Sequence, residues 1–386
     1  MEQILSNSTN SVQQGLNEVV INKVRRMIDG KAAGVEATLN RLQAEGKISQ
    51  DFIAPIGVNL KMNDHSPVIT FAHPQDGQVV MNMPDGQFTM HDNAIGQIAD
   101  RMGIPQRYLR TLAGGKDWQR DLASHLLNEH SGWTDRSRVL VRAVGTQVRA
   151  VLSDSYRRLN SVDILTAFIM EAAGQGAVVA DAYMTDTKVW AETILPEPFV
   201  IPTQNNGDVV IFAGARFSTS DYGDGSVDMR SFLLNGACLN GMVRESVMRQ
   251  VHLGSKLPDN LALSQRTYEL DTQTTVSAVR DLTQGLYSKD NLLRKAHEIQ
   301  GASEMVVDLD NEVKKLTRDG WLLKAEGEAV QKILMNNNPD DGVTGAPTLW
   351  KLTQAITAHA RDLEPQRSRE LHEISGELLG RVKLPA

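Results

Sequence analysis

The sharpest alternation of apolar and polar positions lies between Arg138 and Ser153, where arginines interrupt two runs of β-branched residues. Period-two patterning of this kind predicts two strands, each with one apolar and one basic face. Gly145-Thr146 supplies the turn between them, and Ser153-Asp154 ends the second strand before Tyr156-Arg157-Arg158. A cationic hairpin running into an aromatic and basic corner is suited to holding a phosphate backbone.

The pattern changes along the chain. Residues 1–50 predict helix: Val19, Val20, Ile21, Val24 and Met27 form a short stripe that Gly30 can end, and Val35, Leu39 and Leu42 form a second. This segment is expected to be a mobile or docking arm. Val68–Phe71 and Val79–Met83 are strand-like, and Ala94–Met102 and Gln106–Leu112, broken by Gly103-Ile-Pro105, outline a helix-turn-helix pair. Such pairs more often just pack.

After the hairpin comes a capped helix from Ser161 to Ala173, with Ile164, Leu165, Phe168 and Ile169 as its stripe. Strands are predicted over Ala177–Met184, Lys188–Leu195, Asp208–Ser218 and Ser226–Leu234, after which Asn235–Gly241 leaves the sheet. From Tyr268 onward the periodicity is helical, broken by the Asn336–Gly345 loop. These elements predict an α+β fold: a curved antiparallel sheet with covering helices, followed by a helical C-terminal region. The corresponding units are an arm at 1–50, a core at 51–265 and the helices at 266–386.

Charge sharpens this picture. The 386-residue chain carries −7 overall, yet between Asp135 and Arg158 six arginines face two aspartates, a local surplus of +4. That segregation argues against a protein that coats nucleic acid all over and for a local basic groove. The lone cysteine, Cys238, rules out a disulfide framework and a cysteine-based zinc module, which fits a reducing cytoplasm. No apolar run approaches a membrane span, and the first residues lack the layout of a signal peptide.

Candidate chemistry is sparse. Cys238 and His252 could form a nucleophile and base, but the thiol lies in an apolar setting that favours a structural role. The histidines are scattered, and Asp221, Asp224 and Asp228 sit among glycines as turn residues do, without the spacing of a calcium loop. There is neither a P-loop nor a dinucleotide fingerprint. No catalytic residue, metal ligand or cofactor is therefore assigned. The remaining set is basic and aromatic: Arg142, Arg149, Tyr156, Arg157, Arg158, Arg216, Arg230, Arg244, Arg249 and His252. Arginines with nearby aromatics suit single-stranded nucleic acid, neutralising phosphates while bases stack. A solvated face paired with acids is the plainer alternative, and the sequence weighs the two evenly.

Val141-Arg-Ala-Val, then Val148–Asn160 with its Ser-Asp-Ser-Tyr-Arg motif, resembles the signature of a phage/plasmid-like family classed as domain of unknown function 932. Cys238–Gly241, Arg249–Gly254 and the Trp350–Thr357 stretch are similar to the same family, so the resemblance covers about His91 to Ala360. It implies a phage- or plasmid-borne protein acting in the host cytoplasm, and it carries over no catalytic residue. More loosely, the helix–strands–helix layout resembles the core of single-strand annealing recombinases, which work as oligomeric rings without a nucleotide cofactor. The expectation is a non-enzymatic, homo-oligomeric single-stranded DNA-binding protein, with five arginines giving a log-log salt slope of about −3.5. The alternatives are a metal-dependent nuclease or nucleotide-modifying enzyme built on Asp154, Asp221, Asp224 or Asp228, and a structural or host-interaction protein.

Overall fold

The computed structural model describes residues 11–56, 69–131, 138–154, 156, 159–236, 238–250 and 264–382. In chain order these form α1 (Ser11–Ile48), β1 (Ser49–Pro55), β2 (Thr70–Gln75), β3 (Gln78–Met83), β4 (Gly86–Met90), α2 (Asp92–Met102), α3 (Gln106–Ala113) and α4 (Asp117–Ser131). The hairpin β5 (Arg138–Val144) and β6 (Gln147–Ser153) follows, then α5 (Ser161–Gly174), β7 (Val178–Met184), β8 (Val189–Ile194), β9 (Phe199–Ile201), β10 (Val209–Thr219), β11 (Val227–Asn235) and β12 (Asn240–Gln250). The C-terminal helices are α6 (Gln265–Leu286), α7 (Lys289–Glu304), α8 (Leu309–Arg318), α9 (Lys324–Asn336), α10 (Leu349–Ala360) and α11 (Pro365–Leu379).

The fold is α+β with a helical C-terminal region, but there are two open sheets where the sequence pattern predicts one. The first runs β1-β5-β6-β4-β3-β2, antiparallel except where β4 lies parallel to β6. Val139, Val141, Ala143, Val148 and Val151 face α2–α4 in one core, and Leu140, Val144, Ala150 and Leu152 face the opposite way, toward Tyr222. Asn93 and Gln97 of α2 both donate side-chain amides to the Tyr222 carbonyl, at 2.9 and 2.8 Å, tying this sheet to the turn after β10.

The second sheet runs β12-β11-β10-β8-β7, with β9 paired to β10. All eleven residues of β10 are buried, because both faces of the sheet are covered. On one face Ala215 and Phe217 meet α5 and α6, and Val209, Ile211 and Ala213 meet the α7–α11 cluster. The C-terminal helices thus share their core with the sheet rather than forming a separate unit. On the other face Val210 and Phe212 meet Val20 and Val24 of α1.

Two local readings change. Gly30 does not end a helix: α1 continues through it and Gly34 to Ile48, anchored by Lys31 to Asp181 (2.8 Å) and by Arg41 to Asp186. A mid-helix glycine costs about 1 kcal/mol against alanine, and burial of Val20 and Val24 against the second sheet offsets it. Asn235–Gly241 does not leave the sheet either. Leu239 adopts a left-handed φ of 61° and turns the chain straight back into β12.

Candidate nucleic-acid interface

Arg142 and Arg149 sit on the same face of the hairpin because Arg149 is the extra residue of a bulge, with Arg142 opposite Ala150 and Ala143 opposite Val148. That face is turned toward the second sheet, not toward solvent. Arg149 is buried and grips Glu45 of α1 through Nη1 (2.5 Å) and Nη2 (3.1 Å), while also donating to the Asp186 carbonyl at 2.9 Å. Arg142 pairs with Asp51 of β1 at 2.8 Å and donates to the Asp221 carbonyl at 2.7 Å. Burial works against the charge of both guanidiniums, and the surrounding carboxylates, Asp221 and Asp51 for Arg142 and Glu45 for Arg149, overcome it and raise both pKa values.

Arg216, Arg230 and Arg244 lie elsewhere, beneath and beside α11. Arg216 donates to Glu192 (2.7 Å) and to His372 Nδ1 (3.1 Å), Arg230 pairs with Asp228 (2.6 Å) and Glu373 (3.0 Å), and Arg244 with Glu298 (2.9 Å) and the Gly376 carbonyl (2.9 Å). Tyr156 packs with the Leu140–Tyr222 cluster, and burial raises its hydroxyl pKa. Arg249 is exposed, opposite Asp228 in the strand register. Arg157, Arg158 and His252 lie outside the described residues.

The expected common trough is therefore not formed by Arg142, Arg149, Arg216, Arg230 and Arg244, each of which is held by at least one carboxylate, on two separate surfaces. The physical reason is that alternation marks a face turned away from one helix layer. It does not say whether water or another layer meets that face.

A concavity lies between the sheets: a cleft of about 880 Å³ floored by Ser161, Thr219, Asp221 and Tyr222, and walled by α1, α5, α6 and the β7–β8 turn. Most charges in its floor are satisfied internally. Asp221 accepts from the Ser161 hydroxyl (2.6 Å) and amide (3.3 Å), and Asp163 accepts from Asn160 (2.9 Å). Lys188 and Arg280 bring cations to the wall.

Lys188 also begins a second feature, which the sequence reading missed. Tyr183 and Trp190 stand directly opposite each other in the β7–β8 register, with ring centroids 5.5 Å apart. The Arg369 guanidinium lies 5.0 Å from both rings, and Lys188 Nζ lies 5.2 Å from Trp190. This ladder of cations and rings is partly open to solvent, Tyr183 being 37% exposed. Two aromatics flanking the Met184–Lys188 turn were the available signal. Arg369 arrives from α11 and has no local signature.

Behind the ladder, Glu192 is the carboxylate shared by the fields of Arg216, Arg369 and Lys31. Burial pushes its pKa up, but these cations hold it below the usual value of 4.5. His372, enclosed beside Arg216, Arg369 and Lys31, is kept neutral by burial and by those charges. A carboxyl with a depressed folded pKa contributes stability that is present above its unfolded pKa and lost as pH falls through the folded value. We therefore expect the melting temperature to fall on acidification, first below about pH 6.5 as the unfolded chain protonates His372 and further below about pH 4.5 as it protonates Glu192. In Glu192→Gln the fall below about pH 4.5 should be less steep, and parallel slopes there would refute this assignment.

The four carboxylates considered for metal chemistry are engaged as structural acceptors: Asp154 by the Ser153 hydroxyl (3.4 Å), Asp221 by Ser161, Asp224 by the Thr187 hydroxyl (2.6 Å) and Asp228 by Arg230. Among the described residues, no group of three or more His, Cys, Asp or Glu side chains is arranged to hold a metal ion. The Cys238 thiol is buried and pushed up to about 11 by that burial, which is the setting of a structural cysteine. Among the described residues no helix is long and apolar enough to cross a membrane.

No family model matches the chain, and comparison with curated proteins and with solved structures finds no significant match. The resemblance to the phage/plasmid-like family thus stands on the sequence motifs alone.

Proposed function

We propose that the protein binds single-stranded DNA without chemically altering it, along the Lys188–Trp190–Tyr183–Arg369 ladder and into the inter-sheet cleft with which the ladder shares Lys188. The observation that carries this reading is the ladder itself. Two in-register rings offer stacking faces while the adjoining cations match the phosphate charge, which is the combination that single strands require. The arginines buried against carboxylates take no part: their role here is to hold the sheets and α11 in place. The phage setting, host-cytoplasm location, homo-oligomeric assembly and a strand-annealing role belong to the same proposal and draw their support from the family and layout resemblances.

Moving the contacts changes the expected numbers. With Lys188, Arg280 and Arg369 as the phosphate contacts, the log-log salt slope on single strands becomes about −2. In a fluorescence-anisotropy titration with a short labelled oligonucleotide, Trp190→Ala should weaken binding by about tenfold or more, as the loss of one stacked base does. Absence of binding at about 50 mM salt, or an affinity untouched by both Trp190→Ala and Lys188→Ala in folded protein, would overturn the reading.

A further inference from the structure

The helix pair α2–α3 remains unused by the cleft. Gly103, at φ 67°, closes α2 with a left-handed cap, and Ile104-Pro105 leads into α3. Leu109, Leu112 and Ala113 of α3 are buried, whereas Arg107, Tyr108, Arg110 and Thr111 form a contiguous exposed face. Pro105 supplies no side-chain cap, so the first-turn amides of α3 add a positive dipole end beside Arg107. The Gly114-Gly115 turn then leads through exposed Lys116 into α4, whose Trp118 is 62% exposed, as Tyr108 is at 45%.

Residues 101–120 hold five basic side chains and one acid, in a chain of net −7. Widening the window to 92–121 adds Asp92, Asp100 and Asp121, of which Asp92 is held by Arg110 (3.0 Å) and Asp121 by His73 (2.8 Å). Arg107, Arg110 and Lys116 stand at the surface, whereas Arg101 and Arg120 are half-buried and Arg120 pairs with Asp117. They lie on the side of the first sheet away from the cleft.

We propose that this α3–α4 corner docks on the phosphate backbone of duplex DNA. Charge complementarity selects the partner. Arg107 and Lys116 meet phosphates, Arg110 exchanges its exposed aspartate for one, and the α3 amide end points at another. Tyr108 and Trp118 pack against the sugar edges. The surface acts independently of the single-strand path, so the protein can hold a strand on one side and a duplex on the other.

The test uses the full chain, a duplex of roughly 20 base pairs and a single strand of the same sequence, with binding followed over a salt series. Wild type should bind the duplex. Arg107→Gln with Lys116→Gln should weaken that binding at least about tenfold and flatten the log-log salt slope by about 2, with melting temperature and single-strand affinity unchanged. Lack of duplex binding by wild type, or duplex binding unaffected by the double substitution, overturns the proposal whatever the single-strand result. Binding of a poly-glutamate peptide in place of duplex, lost in the same variant, would make an acidic protein surface the occupant and also overturn it. Failure of the single-strand reading shows separately, as loss of oligonucleotide binding with duplex binding intact.

Discussion

Arg149→Met is expected to lower the unfolding free energy by about 2–3 kcal/mol, because half-buried Glu45 loses one of its two cations and keeps Arg41 at 2.8 Å. Both side chains lie at the joint between the sheets, 8% and 13% exposed, and the Asp186 carbonyl loses a donor at the same time. Replacing both partners by apolar residues of similar volume, Arg149→Met with Glu45→Leu, should recover much of the loss, because no uncompensated charge remains. Urea denaturation of the two single variants and the double variant gives the coupling directly. A loss under about 1 kcal/mol for Arg149→Met, accompanied by weaker oligonucleotide binding, would return this side chain to the role of a phosphate contact.

Gly376→Ala should also be strongly destabilising, although alanine is the better helix former by about 1 kcal/mol. Gly376 is where α11 crosses the edge strand β12, and a Cβ there would come 1.7 Å from the Val243 carbonyl oxygen. Backbone cannot yield as a flexible side chain does, so α11 must lift from β12, at a cost of about 3 kcal/mol or more. Lifting it also disturbs Arg230, Arg244 and the Arg369 arm of the ladder, all of which depend on this helix. Gly34→Ala is the control: it is exposed in α1 with nothing within 4 Å of the added Cβ, and should gain about 0.5–1 kcal/mol. Thermal melts of the two variants should move in opposite directions. An unchanged or raised melting point for Gly376→Ala would refute the tight crossing.

How much of this was legible depends on the range of the interaction. The β5–β6 hairpin, the α5 cap region and the helical character after Tyr268 all showed in local periodicity, because turn, cap and stripe are set by neighbouring residues. The strand β12 did not: two register irregularities against β11, around Met229, Arg230 and Phe232, break the alternation that marks a regular strand. The helix α1 was split at Gly30 because a glycine stops a helix only where a left-handed cap follows, as at Gly103, and Gly30 carries no positive φ. The basic set was found as a list of residues but not as a site. Apart from Asp228, two residues from Arg230, the partners that neutralise it are distant in the chain, 24 positions for Arg216–Glu192 and 104 for Arg149–Glu45, beyond any local pattern.

The helix α1 imposes an order on synthesis. It is translated well before its partners: Asp181, Asp186 and the β7 edge it lies against come about 145–150 residues later. At about 5–20 residues per second, the bare Val20–Val24 stripe must wait roughly 7–30 s for its landing strand. A ribosome stalled before residue 178 therefore presents an unshielded apolar ridge, and nascent chains arrested there should be captured by holdase chaperones far more than chains arrested after residue 250.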